Sequence, residues 1–130
     1  MLTQPHYAEF IEWYGKQAIQ APKAVQSILG RLFWFTIEFG LMQTEQGLKI
    51  YGGGILSSLT ETQYALENEH PQRCKFDLAQ VLQTDYRYDE IQKKYFVIQG
   101  LQELFLLKSQ PILALAALVK KQPDHDFVLC

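Results

Sequence analysis

The stretch RLFWFTIEFGL, Arg31 to Leu41, is the least ordinary in this chain. It continues a helical pattern that opens near Lys23. In that pattern Val25, Ile28, Leu29, Leu32, Thr36 and Phe39 keep the i, i+3, i+4, i+7 spacing of one buried face. Gly40 stands where a glycine just past the last helical residue would stop it. On a 3.6-residue helix Glu38 lies one turn beyond Trp34, so the two side chains point to one side. Phe35 precedes Glu38 by three residues. Burying a carboxylate in such aromatic surroundings is costly unless a cation, a metal or hydrogen bonds compensate it. By spacing alone, a glutamate that reaches solvent or pairs with Arg31 or a distant lysine is the commoner arrangement. A metal ligand is the rarer one.

Downstream, Leu41–Gln43 and Leu48–Tyr51 read as two short strands around Glu45-Gln46-Gly47. Gly52-Gly53-Gly54 comes next, then a short helix from about Ser57 to Leu66. Glycines ahead of a helix admit an anionic ligand close to backbone N–H groups. No Lys-Ser/Thr completes a P-loop, however, and Leu56 occupies the place of the third glycine of GxGxxG. Nucleotide binding is therefore poorly supported. Ser57 and Ser58 are placed to cap the helix, and Glu61 stands three residues after Ser58 as in a capping box. Glu67 to Arg73 reads as a polar loop around Pro71, Asp77–Leu82 as a short helix, and Lys94–Ile98 as a strand. Beyond Gly100, Leu101, Leu104 and Phe105 share a helical face, and Pro111 opens a final turn of helix. Upstream, Thr3 and Pro5 open a helix carrying Tyr7, Phe10, Ile11 and Tyr14, which fades near Gln20 to Pro22. The fold class is mostly α with a small β-hairpin.

Composition sets the outer bounds. At 130 residues the chain suits one domain, and 48% hydrophobic with 20% charged residues excludes a disordered chain. A net charge of −2 argues against nucleic acid or anionic lipid as the main partner. The longest apolar run, Ile112 to Val119, falls short of the ~20 residues a membrane span needs, and MLTQPHYAEF carries no signal-peptide pattern. Cys74 and Cys130 form no CxxC pair, and nothing points to a disulfide framework or a structural zinc site, so a cytoplasmic setting is expected. The histidines are His6, His70 and His125, and no HxxxxH or HExxH pair places two on one helical face. His125, between Asp124 and Asp126, lies in a polar tail. No serine or cysteine is set beside a histidine as a nucleophile would be.

Three segments together, RLFWFTIEFGL, GLKIYGGGILSS and FDLAQVLQTDYRYDEIQKKYFVIQGLQELF, strongly resemble the pterin-dependent aromatic amino acid hydroxylases. Among these, the similarity is strongest to the short, single-domain bacterial enzymes that act on phenylalanine. It runs from about Leu2 to Phe105. The resemblance implies a mostly helical catalytic fold that holds one non-haem iron(II) by two histidines and a glutamate, with positions left open for O₂ and water. It also implies a reaction in which O₂ and a tetrahydropterin hydroxylate L-phenylalanine to L-tyrosine. Glu38 matches the glutamate ligand, Trp34 the aromatic packed near the substrate ring, and Phe33 a position lining the iron and pterin pocket. Gly54 and Ser57 match residues at the amino-acid end of the substrate. Ser58 and Glu61 match neighbours in the network supporting an iron ligand. Tyr86 matches a tyrosine approaching the mouth of the site.

The family's histidine ligands come from an HD/HE-x-x-GH segment that precedes the counterpart of Leu2-Thr3-Gln4-Pro5. His6 aligns with an ordinary helix-entry position. The expectation is therefore a partial catalytic domain over residues 1–130, with 106–130 a poorly matched tail, inactive alone and without tightly bound iron or pterin. Two alternatives stand beside it. One is a non-catalytic piece that self-associates or complements a missing half through exposed core. The other is a hydroxylase acting on tryptophan or tyrosine.

Overall fold

The structure, a computed structural model, describes residues 5–53, 59–86 and 92–120. Helix α1 (Pro5–Gln20) and helix α2 (Lys23–Phe33) keep the apolar periodicity expected of them. Tyr7 and Phe10 of α1, and Val25, Ile28, Leu29 and Leu32 of α2, face one core. At Trp34 the helix changes pitch. Trp34–Glu38 forms a π-helical turn rather than the regular continuation that the spacing predicts. Strands β1 (Leu41–Thr44) and β2 (Gly47–Ile50) form the expected hairpin, turning through Gly47 at φ 111°. Next in the chain are helix α3 (Leu59–Glu67), strand β3 (Gln72–Lys75), helix α4 (Leu78–Gln83) and strand β4 (Lys94–Ile98). The chain then runs through α5 (Leu101–Phe105), a 3₁₀ turn (Leu106–Ser109) and α6 (Ile112–Lys120).

The hairpin is not isolated. It is half of a four-stranded sheet ordered β2-β1-β4-β3, in which β1 and β3 both run parallel to β4. Every residue of the central β4 is buried, as both faces of a parallel strand require. On one face Leu41, Tyr95 and Val97 pack with Ala65 of α3. On the other, Phe96, Ile98 and Cys74 join the helical core. The expected fold class holds, with this enlargement of the sheet. The enlargement falls partly on Gln72 and Arg73, which read as loop because QRCK has no strand pattern of its own. Its register, Gln72 opposite Lys94 to Lys75 opposite Val97, comes from β4. Cys74 is disulfide-bonded, against the sequence expectation, since sequence separation does not report spatial proximity.

Side chains fix the element ends. Asp77 caps α4 by accepting from the Gln80 N–H at 3.2 Å. Arg73 donates to the carbonyls of Ala65 (2.7 Å) and Asn68 (2.6 Å), tying the C-terminal end of α3 to β3. Pro111 precedes α6 rather than occupying its first position, and α6 runs to Lys120. Its Ile112 and Ala116 belong to the main core, as does Leu107. No single described helix is long and apolar enough to cross a membrane.

Gly52 packs backbone against backbone. The N–H groups of Tyr51 and Gly52 both donate to the Gly40 carbonyl at 3.1 Å, closing β2 onto the end of the π turn. A Cβ on Gly52 would lie 2.5 Å from the Glu38 carbonyl oxygen and from the Gly40 nitrogen. Gly15, inside α1, has nothing within 4 Å of such an atom. Gly52→Ala should therefore cost about 1–3 kcal/mol of stability, whereas Gly15→Ala should gain about 0.5–1 kcal/mol. Urea unfolding midpoints read both signs, and a neutral Gly52→Ala would contradict the close approach.

Candidate active site

The π turn builds the site. The Phe39 N–H donates to the Trp34 carbonyl at 2.9 Å, five residues back, and the Gly40 N–H donates to the Thr36 carbonyl at 3.0 Å. Thr36 is fully buried, and its hydroxyl donates to the Leu32 carbonyl at 2.5 Å. A threonine hydroxyl bonded back to position i−4 competes for a helical carbonyl and bends the helix there. The wider turn folds the Phe39 ring back onto Trp34, with centroids 4.5 Å apart.

Trp34 is held on several sides. Its indole stacks on Tyr86 at 4.3 Å and 13° between planes, and its Nε1–H donates to Gln92 Oε1 at 2.9 Å. Tyr86 in turn meets Phe35 edge-on at 6.3 Å. The Phe33 ring lies 5.6 Å from that of Tyr14, whose hydroxyl donates to the Leu29 carbonyl at 2.9 Å and so ties α1 to α2. Burial, and then the neighbouring Tyr86, push the Tyr14 hydroxyl up to about 12.

Glu38 is half-buried at the other end of the turn. Its carboxylate makes no ion pair or side-chain hydrogen bond among the described residues. The pairing with Arg31 that sequence spacing allows does not form. Arg31 is buried, donates to the Leu82 carbonyl at 2.8 Å and lies 3.9 Å from Asp85. Seven residues apart on a regular helix, Arg31 and Glu38 would share a face. The π turn between them breaks that alignment. Burial, and secondarily the charge of Glu38, push the Tyr7 hydroxyl up to about 12. Tyr7 meets the Tyr51 ring edge-on at 5.7 Å, so two tyrosines flank this end of the site.

Glu61 lies on α3. Burial raises its pKa, while the Tyr95 hydroxyl and the Gln92 backbone, both near the carboxylate, oppose that shift. Tyr95 Oη itself makes no well-aligned hydrogen bond. Glu61 thus touches the residue that holds Trp34. Gln92 is not foreshadowed by the sequence, because nothing in IQKKYFV marks one polar residue ahead of a strand as special. Gly54, Ser57 and Ser58 lie outside the described residues.

No group of three His, Cys, Asp or Glu side chains among the described residues is placed to hold a metal ion. His6 packs against the Phe105 ring at 4.7 Å, and His70 lies exposed in a turn. Glu38 therefore belongs to no such group among the described residues.

Residues 1–112 match the biopterin-dependent aromatic amino acid hydroxylase family. The chain is 48% identical over 115 residues to phenylalanine-4-hydroxylase of Vibrio cholerae, covering 88% of this chain and 40% of that protein. The Pseudomonas aeruginosa phenylalanine-4-hydroxylase is also 48% identical over 115 residues, with 88% and 44% covered. The iron- and phenylalanine-bound crystal structure of the Chromobacterium violaceum phenylalanine hydroxylase superimposes with a TM-score of 0.88 at 40% identity, over 95% of this chain and 47% of that one. The apo structure of the cold-active Colwellia psychrerythraea enzyme gives 0.90 at 41% identity, over 95% and 49%. The chain thus spans less than half the length of these relatives. Sequence motif, fold and overall likeness agree: the chain belongs to the biopterin-dependent aromatic amino acid hydroxylases.

Proposed function

We propose that this chain supplies the glutamate side of the active site of a phenylalanine 4-monooxygenase, which converts L-phenylalanine to L-tyrosine with iron(II), a tetrahydropterin and O₂. The observation that carries this reading is the half-buried Glu38 carboxylate, unpaired among the described residues, at the end of the turn that presents Trp34. A carboxylate in that position is costly unless a cation offsets it. In this reading Glu38 is an iron ligand, Trp34 with Gly54 and Ser57 faces the substrate, and Phe33 faces the pterin. Ser58, Glu61 and Tyr86 support them. When bound, the iron would supply the activation of O₂. The residues of this chain hold the carboxylate from its backbone and offer the substrate ring a flat, apolar wall. The names of the relatives support phenylalanine as substrate.

One carboxylate does not hold iron(II) at useful affinity, because selective binding needs the full ligand set. The 130 residues alone are therefore expected neither to bind iron tightly nor to form tyrosine. Iron titration of this chain, beside the same chain extended to carry the family's HD/HE-x-x-GH segment, tests the division of ligands. Tight binding and tetrahydropterin-dependent tyrosine formation should appear only in the extended form, and Glu38→Ala should abolish both. Turnover by the 130 residues would overturn the reading.

The supporting role of Glu61 has a pH signature. Burial raises its pKa above the ordinary 4.5, so the folded chain holds this proton more tightly than the unfolded chain does. That contribution to stability is complete below pH 4.5 and is lost as pH rises through the folded-state value. E61Q removes it, so the variant should gain on the wild type as pH rises through that window. Urea midpoints for both proteins from about pH 4 to about pH 8 check this, and parallel profiles would mean an undesolvated carboxylate.

A further inference from the structure

We infer that Gln92 is the positioning residue of the Trp34 indole, fixing where that ring stands on the wall of the site. The inference rests on the proposed function, in which Trp34 faces the substrate ring.

Stacking alone does not place the indole. Contact with Tyr86 at 4.3 Å and 13° sets the plane of the ring, but parallel rings slide and turn within that plane at little cost. The missing constraint is directional and must lie in the plane, and the indole N–H is the one group that provides it. Its partner is Gln92 Oε1 at 2.9 Å, the ordinary length of a good N–H···O bond. The indole only donates, so chemistry dictates that the amide presents its oxygen. Gln92 is 5% exposed, which leaves little water to replace the bond if it is lost.

Gln92 is itself held in place. It enters the fully buried strand β4 two residues ahead of Lys94, and its backbone stands beside the Glu61 carboxylate of α3. A single residue therefore references the π turn, through its side chain, to the sheet and to α3, through its backbone. Neither Phe39 nor Tyr86 does this, because both touch the indole through ring contacts only.

Gln92→Met keeps the length and removes the acceptor. In the 130-residue chain the readout is hydrogen exchange of the Trp34 indole N–H by NMR, one of two such signals and assigned through Trp13→Phe. Exchange at Trp34 should become about tenfold faster, with the Trp13 indole and the α2 backbone amides unchanged. Unchanged Trp34 exchange would overturn the inference, and so would uniform acceleration of the α2 amides, which marks a merely structural role.

In the chain extended to carry the HD/HE-x-x-GH segment and loaded with iron, Gln92→Met should raise KM for L-phenylalanine about three- to tenfold with kcat altered less than about twofold. In a Trp34→Phe background the same change has no N–H to release and should add nothing. An equal effect in both backgrounds would overturn the substrate role. A holoenzyme without hydroxylase activity would sink the functional reading and the substrate role with it, while indole exchange still decides whether Gln92 positions the ring.

Discussion

The amide of Phe39 reaches back five residues to the carbonyl of Trp34, and the amide of Gly40 reaches the carbonyl of Thr36. The first of these bonds ends α2 in a turn wider than an α-helix, a geometry that is rare and survives only where packing holds it. Here the packing is explicit, since Phe35 and Thr36 are buried inside the turn. Phe35 meets Phe96 of β4 edge-on at 5.1 Å. The turn also governs the path of the next two strands. The Gly40 carbonyl receives the Tyr51 and Gly52 amides, so the hairpin returns to the turn, and Gly52 closes against the backbone of Glu38. The sheet and the site are thus anchored at one place.

Electrostatics at the site derive from the same geometry. The turn separates Glu38 from Arg31, and Arg31 is then used to hold the end of α4 and Asp85 against α2. That contact places Tyr86, the next residue, over the helix where it can stack on Trp34. Its hydroxyl lies 3.8 Å from where a Cβ on Gly30 would stand, so a small residue there leaves room for the ring. An aromatic stack of this kind contributes about 0.5–1.5 kcal/mol, and a hydrogen bond such as that to Gln92 about 1 kcal/mol. These contributions are small and similar, but they restrict different motions: the stack sets the plane of the indole and the hydrogen bond its place within that plane.

The features legible in the sequence were local ones. Helices α1 and α2, strands β1 and β2, and strand β4 each carry a period or composition that identifies them without reference to the rest of the chain. The parts that stayed hidden are those decided elsewhere. A π turn has no sequence period of its own, so RLFWFTIEFGL reads as plain helix. Strand β3 exists because β4 offers it an edge. Gln92 meets its partner 58 residues away, a distance over which no spacing rule operates. The role of Gly52 was hidden for a different reason. A run of glycines signals backbone freedom without saying what approaches it, and at Gly52 the neighbour is the backbone of Glu38 and Gly40. For Glu38 the family likeness points to a ligand while the spacing favours a solvated or paired glutamate, and the two differ on what its neighbours do.

The partners of Arg31 bear on that difference. Had Glu38 been bonded to Arg31, a metal arriving at the carboxylate would first have to break a charge-assisted pair and strand a buried guanidinium, at a cost of several kcal/mol. The structure commits Arg31 to Leu82 and Asp85 instead, so no described cation competes for the carboxylate. The backbone behind Glu38 is meanwhile fixed by the close approach of Gly52. In the ligand role proposed for Glu38, a charge anchored from behind and bonded to no described cation would let a metal bind with no ion pair to break first. The rare pitch of the turn is what creates that condition, and it links an irregularity of the helix to the chemistry proposed for its last residue.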